Sequence, residues 1–428
     1  MIELIDLSVI IVSYNVRYFL ELCLSSVVKA SKDIPSEIIV IDNNSSDDSC
    51  SMVSTLYPHI RLIRNTCNEG FARACNQGLR LAKGEFVLLL NPDTLIDENS
   101  LKCCINFMHS HSLAGAMGVK MLDGDGKYLR ESKRAIPFPM TALFKITGMS
   151  SLFSHFTLFS RYYMEHLDNN RTAEIEVLPG AFMFIRKSIL GITGLMDEKY
   201  FMYGEDIDLS FRIIKAGYKI YYYPEIKIIH FKGESARKSP INSTIHFYKA
   251  MLIFAEKHFN KKKFLPIYFM IKPAIYLISF VSLFKKTLML ISSPFSRFFL
   301  SLAELPFIKN IFTKPKVSVI VSENDTYDRI KKLTEKSGIK SKIKGRVSIL
   351  QEDAGEEIIG TISQLNEIIK ENRLTEIIFS LKDIFTSQII ELISRIAKSG
   401  IKIELVPEGE NFILSSKNVL LLKEPDTG

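Results

Sequence analysis

Three groups of acids stand where the chain leaves an apolar run, and that placement makes them candidates for chemistry. Asp42 ends the run Glu37 to Ile41 (EIIVI) and opens Asp42-Asn43-Asn44-Ser45-Ser46-Asp47-Asp48. Asp93 follows Phe86 to Leu90 (FVLLL) across Asn91-Pro92, where proline cannot donate to a ladder and restricts the residue before it. Glu205, Asp206 and Asp208 follow Gly204 at the start of a helical pattern that runs to Arg212. Each group has a purely local reading. Asn-Pro-Asp is a common turn, an Asp after a strand caps the next helix, and acids suit the first turn of a helix dipole. Each also has a chemical one. An Asp ending a second parallel strand is placed to hydrogen-bond a nucleotide's base or ribose. An acidic pair behind a glycine turn can present a general base to a cleft.

The elements that must position these acids alternate. Leu7 to Ser13 reads as a strand, Arg17 to Lys29 as a helix with Leu20, Leu24, Val27 and Val28 on one face, and Glu37 to Ile41 as a second strand. Ile60 to Arg64 gives a third, a helix opens at Asn68 and reaches Lys83, and the five apolar residues Phe86 to Leu90 give a strand buried on both faces. This series predicts an α/β domain on a doubly wound, Rossmann-like parallel sheet, with Asp93 at the carboxyl end of a central strand where such sheets bind ligands. Tyr218 to Pro224 and Ile226 to Phe231 read as further strands.

Several function classes drop out. No G-x-G-x-x-G follows the first strand and no G-x-x-x-x-G-K-[ST] occurs anywhere, against a dinucleotide dehydrogenase and a P-loop enzyme. The six cysteines show no metal-type spacing, so free thiols in a reducing compartment are expected. The amino terminus lacks a basic region and predicts no signal peptide. The net charge of +8 is local: Lys257 to Lys316 holds eleven Lys/Arg against Glu304, and the remaining residues carry a net −2. Interleaved with Phe, Tyr, Leu and Ile, those cations suit helices lying in an anionic membrane interface. A marginal span over Phe264 to Phe284 and a core helix pair are the competing readings, and the stretch is too apolar for a nucleic-acid groove, so no nucleic-acid partner is expected.

Ser13-Tyr14-Asn15, Asp42-Asn43-Asn44-Ser45, Asn68-Glu69-Gly70-Phe71-Ala72 and Asn91-Pro92-Asp93 resemble, in order, the motifs of family 2 glycosyltransferases, which have the GT-A fold. The resemblance covers about residues 7–250. It implies a nucleotide-sugar donor held by Ser13, Tyr14, Asn15, Asp42, Asn44, Asn68, Gly70, Phe71, Asn76, Asp93 and Arg212. It also implies Mg²⁺ or Mn²⁺ at Asp93, and Asp206, with Glu205, as the catalytic base of an inverting displacement. Arg212 has a surface salt bridge as its alternative. His230, with Gly233 and Ser235, matches a His-x-x-Gly-x-Ser pattern that in relatives lies against the donor diphosphate or its metal, so His230 is a second candidate ligand; packing is its alternative. Met202 to Leu209 looks like the rhamnosyltransferase branch, with dTDP-rhamnose as a candidate donor. The chain has no Trp and lacks Gln-x-x-Arg-Trp, against a processive polymerase.

Lys314-Pro315-Lys316 reads as a linker into a second βα series with strands at 317–321, 347–350, 374–379 and 401–406. It resembles the Rossmann-like cytoplasmic domain of polyprenyl-phosphate sugar transferases. Ser322-Glu323-Asn324-Asp325 stands where that family carries glycines, which leaves a phosphate no close backbone approach and implies a scaffold that meets protein partners. The expected organisation is a GT-A domain (1–255), a membrane-associated amphipathic helical segment (256–313) and a small Rossmann-like α/β domain (314–428). The leading expectation is transfer to a lipid-linked, polyprenyl-diphosphate glycan in bacterial surface polysaccharide synthesis, at the cytoplasmic face of the inner membrane. A nucleotidyltransferase and a non-catalytic scaffold are the rivals.

Overall fold

The computed structural model describes residues 5–136, 161–232, 240–259, 316–337, 341–350, 357–409, 412–415 and 419–421, with most of 272–283. Apolar runs too long to alternate become strands covered on both sides. In β1 (Leu7–Ser13) every residue is buried. Val9 and Ile11 pack with Leu20, Leu24 and Val27 of α1 (Arg17–Ala30) and with Leu101, Ile105 and Met108 of α4 (Ser100–Ser110). Ile10 and Val12 face the other way, towards Ala72, Cys75 and Leu79 of α3 (Phe71–Leu81) and Leu209 and Ile213 of α6 (Glu205–Lys215). Helices on both faces exclude water from the sheet, and only its edge is left for chemistry.

The other strands of this sheet are β2 (Ser36–Asp42), β3 (Arg61–Arg64), β4 (Phe86–Leu90), β5 (Thr94–Leu95), β6 (Ala114–Leu122), β7 (Ala173–Ile175), β8 (Phe182–Arg186) and β9 (Lys219–His230). Helices α2 (Ser49–Leu56) and α5 (Lys187–Thr193) complete the connections among the described residues. The strand order is β3-β2-β1-β4-β8-β6-β9-β5, with β7 on β9. The first four strands are parallel, as the alternation predicts. Beyond them the sheet is mixed: β8 runs antiparallel to β4 and β6, and β5 antiparallel to β9. The two strands expected on either side of Pro224 are one strand. Its register against β6 jumps between Tyr223 and Lys227, and that bulge accommodates a residue with no N–H to give.

Helix α7 (Pro240–Phe259) precedes the basic stretch, most of which lies outside the described residues. A second sheet follows: β10 (Lys316–Val321), β11 (Ser341–Ser348), β12 (Ile358–Thr361), β13 (Glu376–Ser380), β14 (Lys402–Val406), β15 (Phe412–Ser415) and β16 (Val419–Leu421), in the order β12-β11-β10-β13-β14-β15-β16. Helices α8 (Asn324–Lys336), α9 (Leu365–Glu371) and α10 (Thr386–Ile396) connect it. Helix α9 starts only at Leu365, because β12 claims Ile358–Thr361 for the sheet edge. The two sheets share a core. Phe19 and Leu22 of α1, Leu95, Ile229 and Phe231 pack in one cluster with Ile389, Ile390 and Ile393 of α10. The Glu98 carboxylate accepts the first two N–H groups of α10, from Thr386 at 2.7 Å and Ser387 at 3.2 Å, where a helix dipole favours an anion.

Candidate active site

Parallel strands deliver their carboxyl ends to one edge, and antiparallel neighbours deliver their beginnings there. Ser13 ends β1 in register with Asp42, which ends β2. Leu90 ends β4 opposite Phe182, which begins β8, so Asp93 and Gly180 meet at that edge. Leu122 ends β6 opposite Ile229, which adds His230. The donor-side, metal-side and acid motifs therefore converge, although they are spread over more than 200 residues.

On the donor side the backbone is held in turns that few residues adopt. Asn15 and Asn44 have φ of 56° and 67°, in the left-handed region that asparagine tolerates. The Asn15 side-chain carbonyl accepts the Ser46 N–H at 2.6 Å, and its own N–H donates to Ser45 Oγ at 2.9 Å, tying the β1 and β2 loops together. Asp42 is buried; one carboxylate oxygen accepts the Ser45 N–H at 2.9 Å, and the other makes no hydrogen bond among the described residues. Tyr14 is partly exposed beside it. Asn68 accepts the Gly70 N–H at 3.0 Å. Gly70 has a φ of 84°, and a Cβ there would lie 2.7 Å from the Phe201 ring and carbonyl, so only glycine fits. Phe71 donates its N–H to that carbonyl at 2.7 Å, which joins the donor side to the loop before α6.

The acid pair starts α6. Asp206 is buried, and its Oδ2 accepts Arg134 Nη2 at 2.5 Å and the Gly180 N–H at 3.2 Å. Among the described residues its Oδ1 accepts only the adjacent Ile207 N–H, at 2.8 Å, which leaves lone-pair capacity for a substrate hydroxyl. Burial first, then the Asp206 charge, push the Glu205 carboxyl up to about 8. A carboxyl that keeps its proton up to about pH 8, beside a second one held by Arg134 and Gly180, is the arrangement in which one acid of a close pair serves as base. Asp208 is wholly buried and holds Arg212 Nε, Lys257 Nζ and His258 Nε2, each at 2.8 Å, so it bolts α6 to the end of α7. Those partners outweigh its burial and hold its carboxyl down at about 2.

At the metal side Thr94 pairs with His230, and the Phe231 N–H donates to the Asp93 carbonyl at 2.9 Å. His230 Nε2 lies 3.3 Å from Asp93 Oδ1, and neither ring nitrogen makes a hydrogen bond among the described residues. A carboxylate and an imidazole, both buried, suit a divalent cation whose remaining ligands come from phosphate and water. No set of three or more His, Cys, Asp or Glu that could hold a metal occurs among the described residues, and Asp93 and His230 are the pair of donors found at this edge.

Two residues read as donor-binding have structural partners. The Asn76 amide bonds the Met196 N–H and carbonyl and Glu198, which fixes the 196–198 turn. Arg212 bonds Asp208 and the Thr193 and Gly194 carbonyls, so it braces the acid cluster, and among the described residues its Nη2 makes no hydrogen bond. Gly233 and Ser235 lie outside the described residues. Two other residues have no counterpart in the sequence reading. Asn43 bonds Asn65, Asn68, Glu69 and Gly70 from the middle of Asp-Asn-Asn, where alternation along the strand turns it away from Asp42. Arg134 sits 72 residues from Asp206 and has no local signature.

The family model described as Glycosyl transferase family 2 matches residues 8–191. An N-acetylglucosaminyl-diphospho-decaprenol L-rhamnosyltransferase of Mycobacterium tuberculosis H37Rv is 28% identical over 268 residues, covering 59% of this chain and 85% of that protein. Rhamnosyltransferase WbbL of Escherichia coli K12 is 24% identical over 189 residues, covering 42% and 68%. Among solved structures, a mannosyltransferase from Pyrobaculum calidifontis in complex with GDP-Man and Mn²⁺ aligns with 71% of this chain and 82% of that chain, at 17% identity and a TM-score of 0.40.

Proposed function

Since residues 8–191 form a glycosyl transferase family 2 domain and the protein is a glycosyltransferase of that family, we propose that it transfers a 6-deoxyhexose, rhamnose from dTDP-rhamnose, with inversion, to a hydroxyl of a polyprenyl-diphosphate-linked glycan. The observation that carries this reading is Asp206, buried, clamped by Arg134 and Gly180, and set on the sheet edge that also carries Asp42, Asp93 and His230. Two relatives named as rhamnosyltransferases, one of them acting on N-acetylglucosaminyl-diphospho-decaprenol, support the choice of donor and acceptor.

The acceptor hydroxyl attacks the anomeric carbon while Asp206 Oδ1 takes its proton; the bond from that carbon to the phosphate oxygen breaks, and the nucleoside diphosphate leaves on the far side. Asp42, Ser13, Tyr14, Asn15 and Asn44 surround the nucleoside, with Asn68, Gly70 and Phe71 flanking it. Asp93 and His230 would hold Mg²⁺ or Mn²⁺, which supplies positive charge against the diphosphate. The division into 1–255, 256–313 and 314–428 belongs to the same proposal, with the third part a scaffold for protein partners. So does a place at the cytoplasmic face of a bacterial inner membrane. Among the described residues no helix is long and apolar enough to cross a membrane.

Nucleotide release across a panel of nucleotide-sugars tests the reading, with a lipid-diphosphate N-acetylglucosamine acceptor, with Mg²⁺, Mn²⁺ or EDTA, and with Asp206→Asn. Acceptor-dependent release from dTDP-rhamnose, lost with EDTA and in the variant, is the expected result. Release from a different donor replaces rhamnose and keeps the reaction. No release together with no nucleotide-sugar binding overturns it in favour of a scaffold.

A further inference from the structure

Beyond α7 the described residues between 272 and 283 are helical, and their two faces differ. One face is packed. Ile275 is 2% exposed, and Lys272 Nζ lies 3.2 Å from Glu256 Oε1 near the end of α7. The opposite face is in solvent. Tyr276, Leu277 and Phe280 are 57%, 65% and 70% exposed, and Pro273 is exposed with them. Positions 273, 276, 277 and 280 are spaced i, i+3, i+4 and i+7, which is one stripe of a helix. Scattered exposed apolar residues need no explanation; a continuous stripe marks an interaction surface.

The charge of the sequence on either side of the stripe identifies what covers it. Lys261, Lys262 and Lys263 precede it in the sequence and Lys285 and Lys286 follow it, within a 60-residue stretch whose one acid is Glu304. Cations bracketing an exposed apolar stripe on a short helix suit a surface that is anionic outside and apolar a few ångströms in. A soluble acidic protein would match the lysines and leave the stripe wet. We propose that Pro273, Tyr276, Leu277 and Phe280 enter the headgroup region of an anionic lipid bilayer, with the helix lying in the plane of the interface and not crossing it.

The attachment of this helix gives the docking a consequence for the reaction. Lys272 fixes it to Glu256, and the next two residues of α7, Lys257 and His258, grip Asp208, two positions from Asp206. Membrane surface, α7 and base are thus linked by ion pairs, which hold the base at a set height above the lipid plane. This consequence rests on the lipid-linked acceptor of the proposed function; the docking itself does not.

The test is co-sedimentation of the full chain with vesicles of phosphatidylcholine alone or mixed equally with phosphatidylglycerol, for the native protein and for L277E/F280E. The native protein should bind the anionic vesicles, release in high salt, and bind neutral vesicles weakly. The double variant should bind the anionic vesicles about tenfold less or worse. Its unfolding temperature should fall little, since both side chains are more than half exposed, and Leu277→Ser serves as a milder second variant. Transfer to a short-chain, water-soluble acceptor should be unaffected, while transfer to an acceptor embedded in vesicles falls. Equal vesicle binding by the native protein and both variants overturns the proposal, as does a native dimer in light scattering that the double variant dissociates. Loss of vesicle binding without turnover on any acceptor leaves the docking standing and removes the proposed reaction instead.

Discussion

Both sheets place their first four strands in the same order. β3-β2-β1-β4 in the first corresponds to β12-β11-β10-β13 in the second, and in each the chain winds one way, then returns to the centre and winds the other. That reversal opens a crevice at the carboxyl ends, the usual ligand position. Each sheet also carries an Asp three residues past its fourth strand: Asp93 after Leu90, and Asp383 after Ser380. What the two do differs. Asp383 reaches across its crevice to the start of α8, where it accepts the Glu323 N–H at 3.2 Å and the Thr326 hydroxyl. In the first sheet the equivalent task falls to Asp47, from the β2 loop, which accepts the Arg17 N–H of α1 at 3.0 Å, and Asp93 instead lies against His230. Topology supplies a crevice twice, and the loop acids line the two differently.

The comparison breaks most easily at Asp206. Asp206→Asn keeps an amide oxygen for Arg134 and Gly180 but cannot take a proton, so turnover at saturating donor should fall by about 10²–10⁴-fold. Circular dichroism should show the variant folded. Full turnover would mean that the first crevice is no more catalytic than the second. Asp208→Asn tests the support and not the chemistry. It leaves Arg212, Lys257 and His258 around a buried neutral group, and removing one member of a buried ion cluster costs about 3 kcal/mol, read from the urea midpoint. Because the folded Asp208 pKa is depressed, its contribution is present above the ordinary carboxylate range and is lost as pH falls towards 2.

Protonation separates the crevices further. Glu205 titrates at about 8 in the folded protein and in the ordinary carboxylate range when unfolded, so the native state holds a proton that the unfolded chain has released. Stability from this group is complete below the unfolded pKa and drains as pH rises towards 8, by about 1 kcal/mol per pH unit at its steepest. Glu205→Gln should flatten that slope, keep turnover near neutral pH, and extend it on the alkaline side. Glu404, in the second sheet, is also raised, by burial and then by Glu376 against the pull of Lys402. It therefore contributes a residual slope of the same sign in Glu205→Gln, which thermal melts across pH 5–9 would show.

How much of this was legible depended on how local the cause was. Runs such as Phe86 to Leu90 announce a buried strand, and Asn15, Asn44 and Gly70 announce turns, because backbone sterics act on single residues. Ala114–Leu122 gave no such notice. Two glycines among small residues interrupt the apolar pattern, yet the strand is buried, and Gly115 and Gly118 sit where side chains of neighbouring elements press close. Strands β15 and β16, at four and three residues, are held by their partners and not by their own pattern. Site residues divide in the same way. Asp42, Asp93 and the 205–206 acids follow from strand ends and a helix start. Arg134, Lys257 and His258 are defined by contacts 49 to 72 residues away. Asn76 and Arg212 stood inside the right motifs, but the direction a side chain takes within a helix depends on what packs beside it, here Glu198 and Asp208.

The smallest expected effect sharpens the comparison most. Asp383→Ala removes the carboxylate that covers the start of α8, and losing a cap of this kind costs about 1 kcal/mol in a urea titration. It also opens the second crevice. If a covering acid were all that separated the two, the variant should acquire affinity for a nucleoside diphosphate in calorimetry. It should not, because the floor is wrong as well. Ser322-Glu323-Asn324 offers no glycine for a close phosphate approach, and Ser322 is buried with its carbonyl turned to Arg346 Nη1 at 3.3 Å. Binding by the Ala variant would show that one side chain divides a donor site from a scaffold. Its absence places the division in the backbone of the first loop, where Asn15 in the first sheet adopts a turn that Ser322 to Asn324 do not.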